Sequence, residues 1–170
     1  MWPIAGVWDN GPPSALIQLS PVADLDEIKQ RAITVVSGCA YGPPELIRSL
    51  LQPTPEDYAA VFVGDAAQKF QEAYASFWEK PPAALTRTAG ARVLMFPQLA
   101  QNIVESDQFP GGYAKVAHLL VPDQTWFRFK LVADGGRDVM AYDGLVARGD
   151  RFVWFPKPWR ALGMVEPAGN

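Results

Sequence analysis

The side chains able to do acid–base chemistry in this chain are few and scattered. One histidine, His118, stands between Ala117 and Leu119. An imidazole titrates near neutrality and is a common general acid or base, but a lone histidine in a strand also serves as an ordinary packed or edge side chain. Asp143 follows Tyr142, a carboxylate beside a phenol. Adjacent strand residues point to opposite faces, so the two can share one site only across a bulge. Asp143-Gly144 is itself a sequence at which a strand bulges or bends. Glu105 and Asp107 stand two apart, but no further oxygen donors surround them as a cation site requires, and a solvated loop explains them. Cys39 is the sole cysteine. It excludes an internal disulfide and a multi-cysteine zinc site, and reads as a buried thiol. The serines lack a nucleophile-elbow setting, and Gly111-Gly112 and Gly135-Gly136 lack the helix and lysine of a phosphate loop. No metal site and no cofactor are implied.

Trp154, Lys157, Trp159 and Arg160 are the conspicuous cluster. They fall in the run Arg151-Phe152-Val153-Trp154-Phe155-Pro156-Lys157-Pro158-Trp159-Arg160. Tryptophan and arginine concentrate binding energy at interfaces, and a lysine or arginine over an indole gains about 0.5–1 kcal/mol at an exposed site. The cluster therefore reads as a partly exposed surface for a partner, an identical subunit or an anionic ligand. The plainer alternative is that it closes one end of a sheet, with the two prolines protecting the edge.

Composition narrows the field. The chain has 170 residues, 49% of them hydrophobic and 19% charged, with a net charge of −3. That balance is globular, and the length suits one domain. No basic stripe of the kind that holds nucleic acid is present. No apolar run reaches the roughly 20 residues of a membrane helix. Met1-Trp2-Pro3-Ile4 lacks the basic region and apolar core of a signal peptide, so the expected location is the cytoplasm.

The elements that must position these side chains can be read in order. Residues 1–23 form an irregular arm whose Trp2 and Trp8 should pack onto something. Asp24 and Glu27 have capping-box spacing ahead of a helix over 25–36, with Gly38 as its stop. A short helix spans 45–51. Thr54-Pro55-Glu56-Asp57 starts the next, with a capping hydroxyl, a proline in the first turn and acids behind it. Asp65 opens the longest helix, to Glu79, with Ala66, Phe70, Ala73, Tyr74, Phe77 and Trp78 on one stripe. Residues 91–96 read as a strand, and 98–106 suit either a short helix or a strand. Four antiparallel strands are expected over 113–121, 125–133, 138–147 and 151–155, joined by Gly/Asp turns. The stretch 24–80 is thus helical, 91–160 mainly sheet, and 163–170 a loose tail. In the 125–133 strand, Phe127, Phe129 and Leu131 should face the helices, and Trp126, Arg128 and Lys130 should face water.

Helices first and sheet second define an α+β fold: N-terminal helices packed on a curved C-terminal antiparallel sheet. With the closing hairpin Ala141-Tyr142-Asp143-Gly144-Leu145 to Phe152-Val153-Trp154-Phe155, this order resembles the cone-shaped nuclear transport factor 2-like (cystatin-like) fold over roughly residues 24–159. The resemblance implies a space between sheet and helices, which such families use for a ligand, a catalytic site or packing.

The functional expectation is a non-enzymatic binding or accessory protein acting through its aromatic-basic surface, on a protein partner or another copy of itself. The first alternative is a pocket protein for a small apolar ligand, or an isomerase- or hydrolase-like enzyme with His118 or Asp143 as base and Tyr142 or Tyr113 as donor. The second is an immunity- or inhibitor-type protein.

Overall fold

The computed structural model describes residues 21–43, 45–80, 85, 92–133 and 135–163. Four helices come first: α1 (Pro21–Tyr41), α2 (Glu45–Leu51), α3 (Pro55–Val61) and α4 (Ala66–Glu79). Strand β1 (Arg92–Leu99) follows, then 3-10 turns at Ala100–Glu105, Gly111–Lys115 and Ala117–Leu119. Strands β2 (Thr125–Val132), β3 (Asp138–Arg148) and β4 (Arg151–Trp154) and the one-turn helix α5 (Pro158–Ala161) complete the chain. The architecture is α+β: helices on a curved antiparallel sheet of order β1-β2-β3-β4. Among the described residues no helix is long and apolar enough to cross a membrane.

The strands expected over 125–133, 138–147 and 151–155 are neighbours in the sheet and pair antiparallel. β1 runs past 96 to Leu99 and carries Pro97 opposite Phe127. A proline has no ladder N–H to give, and β1 is an edge strand, where that is tolerated. Opposite β2, Phe127 pairs with Leu145 and Phe129 with Tyr142, so Asp143 and Gly144 together face Arg128. This is the bulge that the Asp-Gly pair suggested. Gly144 takes φ +91°, and a Cβ there would run into the carbonyl of Phe155. Both facts demand glycine.

Several expectations are corrected. Helix α1 runs from Pro21 to Tyr41, so Asp24 lies inside it and Gly38 does not end it. Val36, Cys39 and Ala40 are buried on its inner side, and this packing outweighs one glycine's cost to a helix. With 21 residues α1, not α4, is the longest helix. Most of the arm and tail, with Trp2 and Trp8, lies outside the described residues.

The strand expected over 113–121 is instead a pair of 3-10 turns. Tyr113, Val116 and Leu120 are its buried residues, and spacings of three and four are helical, not alternating. Only Leu120 pairs in β fashion, with Phe62.

That segment also overturns the face assignment at Trp126, which is fully buried. Its indole meets Tyr113 and Phe62 edge-on and lies near Phe155, so the side expected to be wet is covered. Arg128 and Lys130 on that face are half-buried, and Arg128 donates to the Gln108 carbonyl at 2.6 Å. Phe127 and Phe129 are buried on the other face, against Phe152 and Tyr142, and α1 holds Arg31 over the Phe152 ring. On α4, Ala66, Phe70, Tyr74 and Trp78 are buried and Phe77 is half-buried. Phe70 stacks on Phe62, and Phe77 meets Trp154 edge-on.

Candidate binding groove beside Asp143 and Lys157

Two carboxylates are buried among the described residues, Asp57 and Asp143. They organise the ends of the sheet in different ways.

Asp57 sits in the first turn of α3. Thr54 caps the helix with its hydroxyl as expected, and with Asp57 it forms a reciprocal capping box. The sequence reading missed what else the carboxylate holds. Arg148 Nε donates to Oδ1 at 3.0 Å, and Arg151 donates to Oδ1 at 2.7 Å and to Oδ2 at 3.2 Å. The two arginines bracket the β3–β4 turn, so Asp57 pins α3 to that hairpin. Burial alone would raise its pKa, but the hydrogen bonds from Arg151, Thr54 and Arg148 outweigh it and bring it to about 2. The usable signal was two arginines flanking a tight turn, but nothing local names their acid.

Asp143 sits on the β3 bulge. Tyr113 donates its phenol to Oδ1 at 2.8 Å, and the Lys157 backbone N–H donates to the same oxygen at 2.9 Å. Lys157 Nζ stands 3.6 Å from Oδ2. The Asp143 carbonyl accepts the Trp154 indole N–H at 2.8 Å. Burial first, and then the Asp143 charge, push Tyr113 well above the ordinary phenol range, so it keeps its proton and acts as a donor.

Lys157 lies between Pro156 and Pro158 with φ 45° and ψ 65°. Among the described residues it is the one non-glycine with positive φ. The left-handed region costs a side-chain-bearing residue about 1–2 kcal/mol, and the Asp143 bond holds Lys157 there. The turn carries the lysine stem out of the core. Its ammonium stands 5.6 Å from the Trp159 ring centroid, and its side chain is 43% exposed.

The predicted exposure of Trp154 and Trp159 is not met. Trp159 is fully buried and Trp154 is 3% exposed. The reason is tight packing: Trp159 meets Tyr113 edge-on, and Gly112 lies so close beneath its indole that a Cβ there would overlap it. Of the four clustered residues, Lys157 and Arg160 reach the surface.

Beside them is a groove of about 290 Å³, lined by Ala73, Tyr74, Phe77, Pro156, Lys157 and Arg160. Tyr74 is anchored there by donating to the Pro156 carbonyl at 2.9 Å. The floor is apolar, and two cationic side chains stand at the rim.

The remaining candidates lie elsewhere. His118 is exposed at a 3-10 turn, not mid-strand, and borders a different surface hollow with Asp65 and Lys69. Tyr142 stacks on Phe129 and meets Trp154 edge-on. Glu105 and Asp107 are exposed. Cys39 is buried, and burial pushes its thiol to about 11, which suppresses the reactive thiolate. Among the described residues no three His, Cys, Asp or Glu side chains gather as a metal would need.

Comparison of the chain with family models, with curated proteins and with solved structures finds no match.

Proposed function

We propose that this protein works by binding, not catalysis, and that its ligand presents an apolar group with a carboxylate or similar anion to the groove between α4 and Pro156–Arg160. The carrying observation is Lys157, held in a left-handed conformation by buried Asp143 at the mouth of an apolar groove. Strained backbone that its surroundings hold in place is characteristic of binding sites. Tyr74 and Phe77 supply the apolar floor, while Lys157 and Arg160 supply complementary charge. The aromatic half of the expected aromatic-basic surface thus passes from Trp154 and Trp159 to Tyr74 and Phe77.

Against an acid–base role, the Asp143 carboxylate already meets a phenol, a backbone N–H and an ammonium, and the phenol holds its proton firmly. A nuclear transport factor 2-like relationship, proposed on the order of elements, would direct ligands between sheet and helices. The groove proposed here is lined by α4 and the Pro156–Arg160 segment.

The test is a titration followed by amide NMR, using 3-phenylpropionate, its neutral amide, and a short peptide ending in phenylalanine with a free or an amidated C-terminus. Saturable shifts confined to the groove, seen with the carboxylates and lost in Lys157→Gln/Arg160→Gln, support the reading. The free acid and the peptide separate a small ligand from a partner's chain end. Equal response to acid and amide, or no response in the groove, overturns it.

A further inference from the structure

Building on the proposed Lys157 groove, we infer that Tyr113 is a positioning residue for that site. Its phenol holds the Asp143 carboxylate so that the carboxylate fixes the Lys157 turn and yet leaves the ammonium at the rim, where a ligand's anion can meet it. Tyr113 does not line the groove, so its influence passes through Asp143.

The two oxygens of the carboxylate are used unequally. Oδ1 accepts two hydrogen bonds, from the Tyr113 phenol at 2.8 Å and from the Lys157 N–H at 2.9 Å. Oδ2 has the Lys157 ammonium at 3.6 Å, beyond the roughly 2.7–2.9 Å of a charged N–H···O bond. The bonds on Oδ1 set the plane of the carboxylate and draw on its charge. Oδ2 then holds the ammonium loosely, and the lysine side chain is 43% exposed. Tyr113 can serve as this donor because burial keeps its proton in place. Without the phenol, Asp143 would lose a donor while only 3% exposed, and a buried carboxylate needs partners. The ammonium is the group placed to move in. Closed onto Asp143, it is withdrawn from the groove.

The turn that carries Tyr113 supports Lys157 from a second side. Gly111–Lys115 is a 3-10 turn, and Gly112 lies beneath the Trp159 indole. The Tyr113 ring meets Trp159 edge-on with centroids 5.1 Å apart, and Trp159 in turn stands 5.6 Å from the Lys157 ammonium. Removing the hydroxyl alone leaves these ring contacts in place, and those with Phe109 and Trp126 as well. Tyr113→Phe therefore separates positioning through Asp143 from packing.

Two measurements on the full chain test this role. The first needs no ligand: brief acetylation of lysines by a succinimidyl ester, read by mass spectrometry, with exposed Lys69 as internal reference. In Tyr113→Phe, Lys157 should be acetylated about threefold more slowly than in the parent, within the worth of a half-exposed ion pair. Simple loosening of the fold would make it faster. The second is a double-mutant cycle on the binding of 3-phenylpropionate. Tyr113→Phe should weaken binding about threefold, toward the low end of one hydrogen bond's weight. In a Lys157→Gln background the same change should weaken it no further, because the group that Tyr113 positions is gone. Unchanged or faster labelling of Lys157 overturns the proposal, as does an equal loss of affinity with and without the lysine. If the parent binds no 3-phenylpropionate, the groove reading falls and the labelling decides alone. Slower labelling then still assigns Tyr113 its hold on the ammonium, and unchanged labelling removes both.

Discussion

Asp57 and Asp143 are both buried carboxylates at ends of the same hairpin, yet they are built for different ends. Asp57 is closed by two guanidinium groups and a capping box, with hydrogen bonds to both of its oxygens. Asp143 is held by one phenol and one backbone N–H, with a longer contact to an ammonium that reaches solvent. The first arrangement fastens a helix to a sheet. The second uses a carboxylate to shape a strained turn and present a cation beside an apolar groove. Burial of an acid is therefore a poor guide to function by itself, and so is its partners' exposure, since the Arg151 side chain is 47% exposed and that of Lys157 43%; how the partners are bonded says more.

The same substitution at both positions should separate them. Asp57→Asn leaves Arg148 and Arg151 without their anion and should cost about 3 kcal/mol or more, near the low end for a broken buried pair because both arginines reach solvent. Urea unfolding with an unchanged slope would measure it, and a loss below that of Asp143→Asn would break the comparison.

Acid titration sharpens it. The folded pKa of Asp57 lies below its ordinary value of 3.8, at about 2. Its contribution is therefore fully present above the ordinary value and fades as pH falls toward 2. In Asp57→Asn the unfolding free energy should vary less with pH across that window than in the parent.

Gly144→Ala attacks the bulge that aims Asp143. The new Cβ meets the Phe155 carbonyl in a backbone conformation disfavoured for alanine, so the expected loss is about 2–3 kcal/mol. A stable, unperturbed variant would show that the bulge can relax.

Asp143→Asn should cost less, about 1–2 kcal/mol, because an amide oxygen can still accept from Tyr113 and from the Lys157 N–H. The solvated lysine tolerates losing its partner.

The smallest effect is expected from Lys157→Gly. It relieves the left-handed strain and keeps the N–H to Asp143, so stability should hold or rise by up to about 1 kcal/mol. Binding of 3-phenylpropionate should weaken at the same time. Stability and binding falling together would mean that the lysine is structural.

Features that depend on neighbouring residues were legible in the chain. Helix α3 begins where Thr54-Pro55-Glu56-Asp57 says, because a cap and a proline act within one turn. The three closing strands pair as their alternation and turns require, and Gly144 marks its bulge. The α+β order follows from these.

Tertiary structure alone decided what depends on distant partners. α1 continues through Gly38 because Cys39 and Ala40 are buried. Tyr113–Val121 coils over Trp126 because its apolar spacing finds a face to cover. Trp159 turns inward because Gly112 leaves room for it. Asp57 joins arginines 91 and 94 residues away, and Asp143 joins Tyr113 across 30. Such contacts depend on which surfaces meet, and spacing along one segment does not encode that.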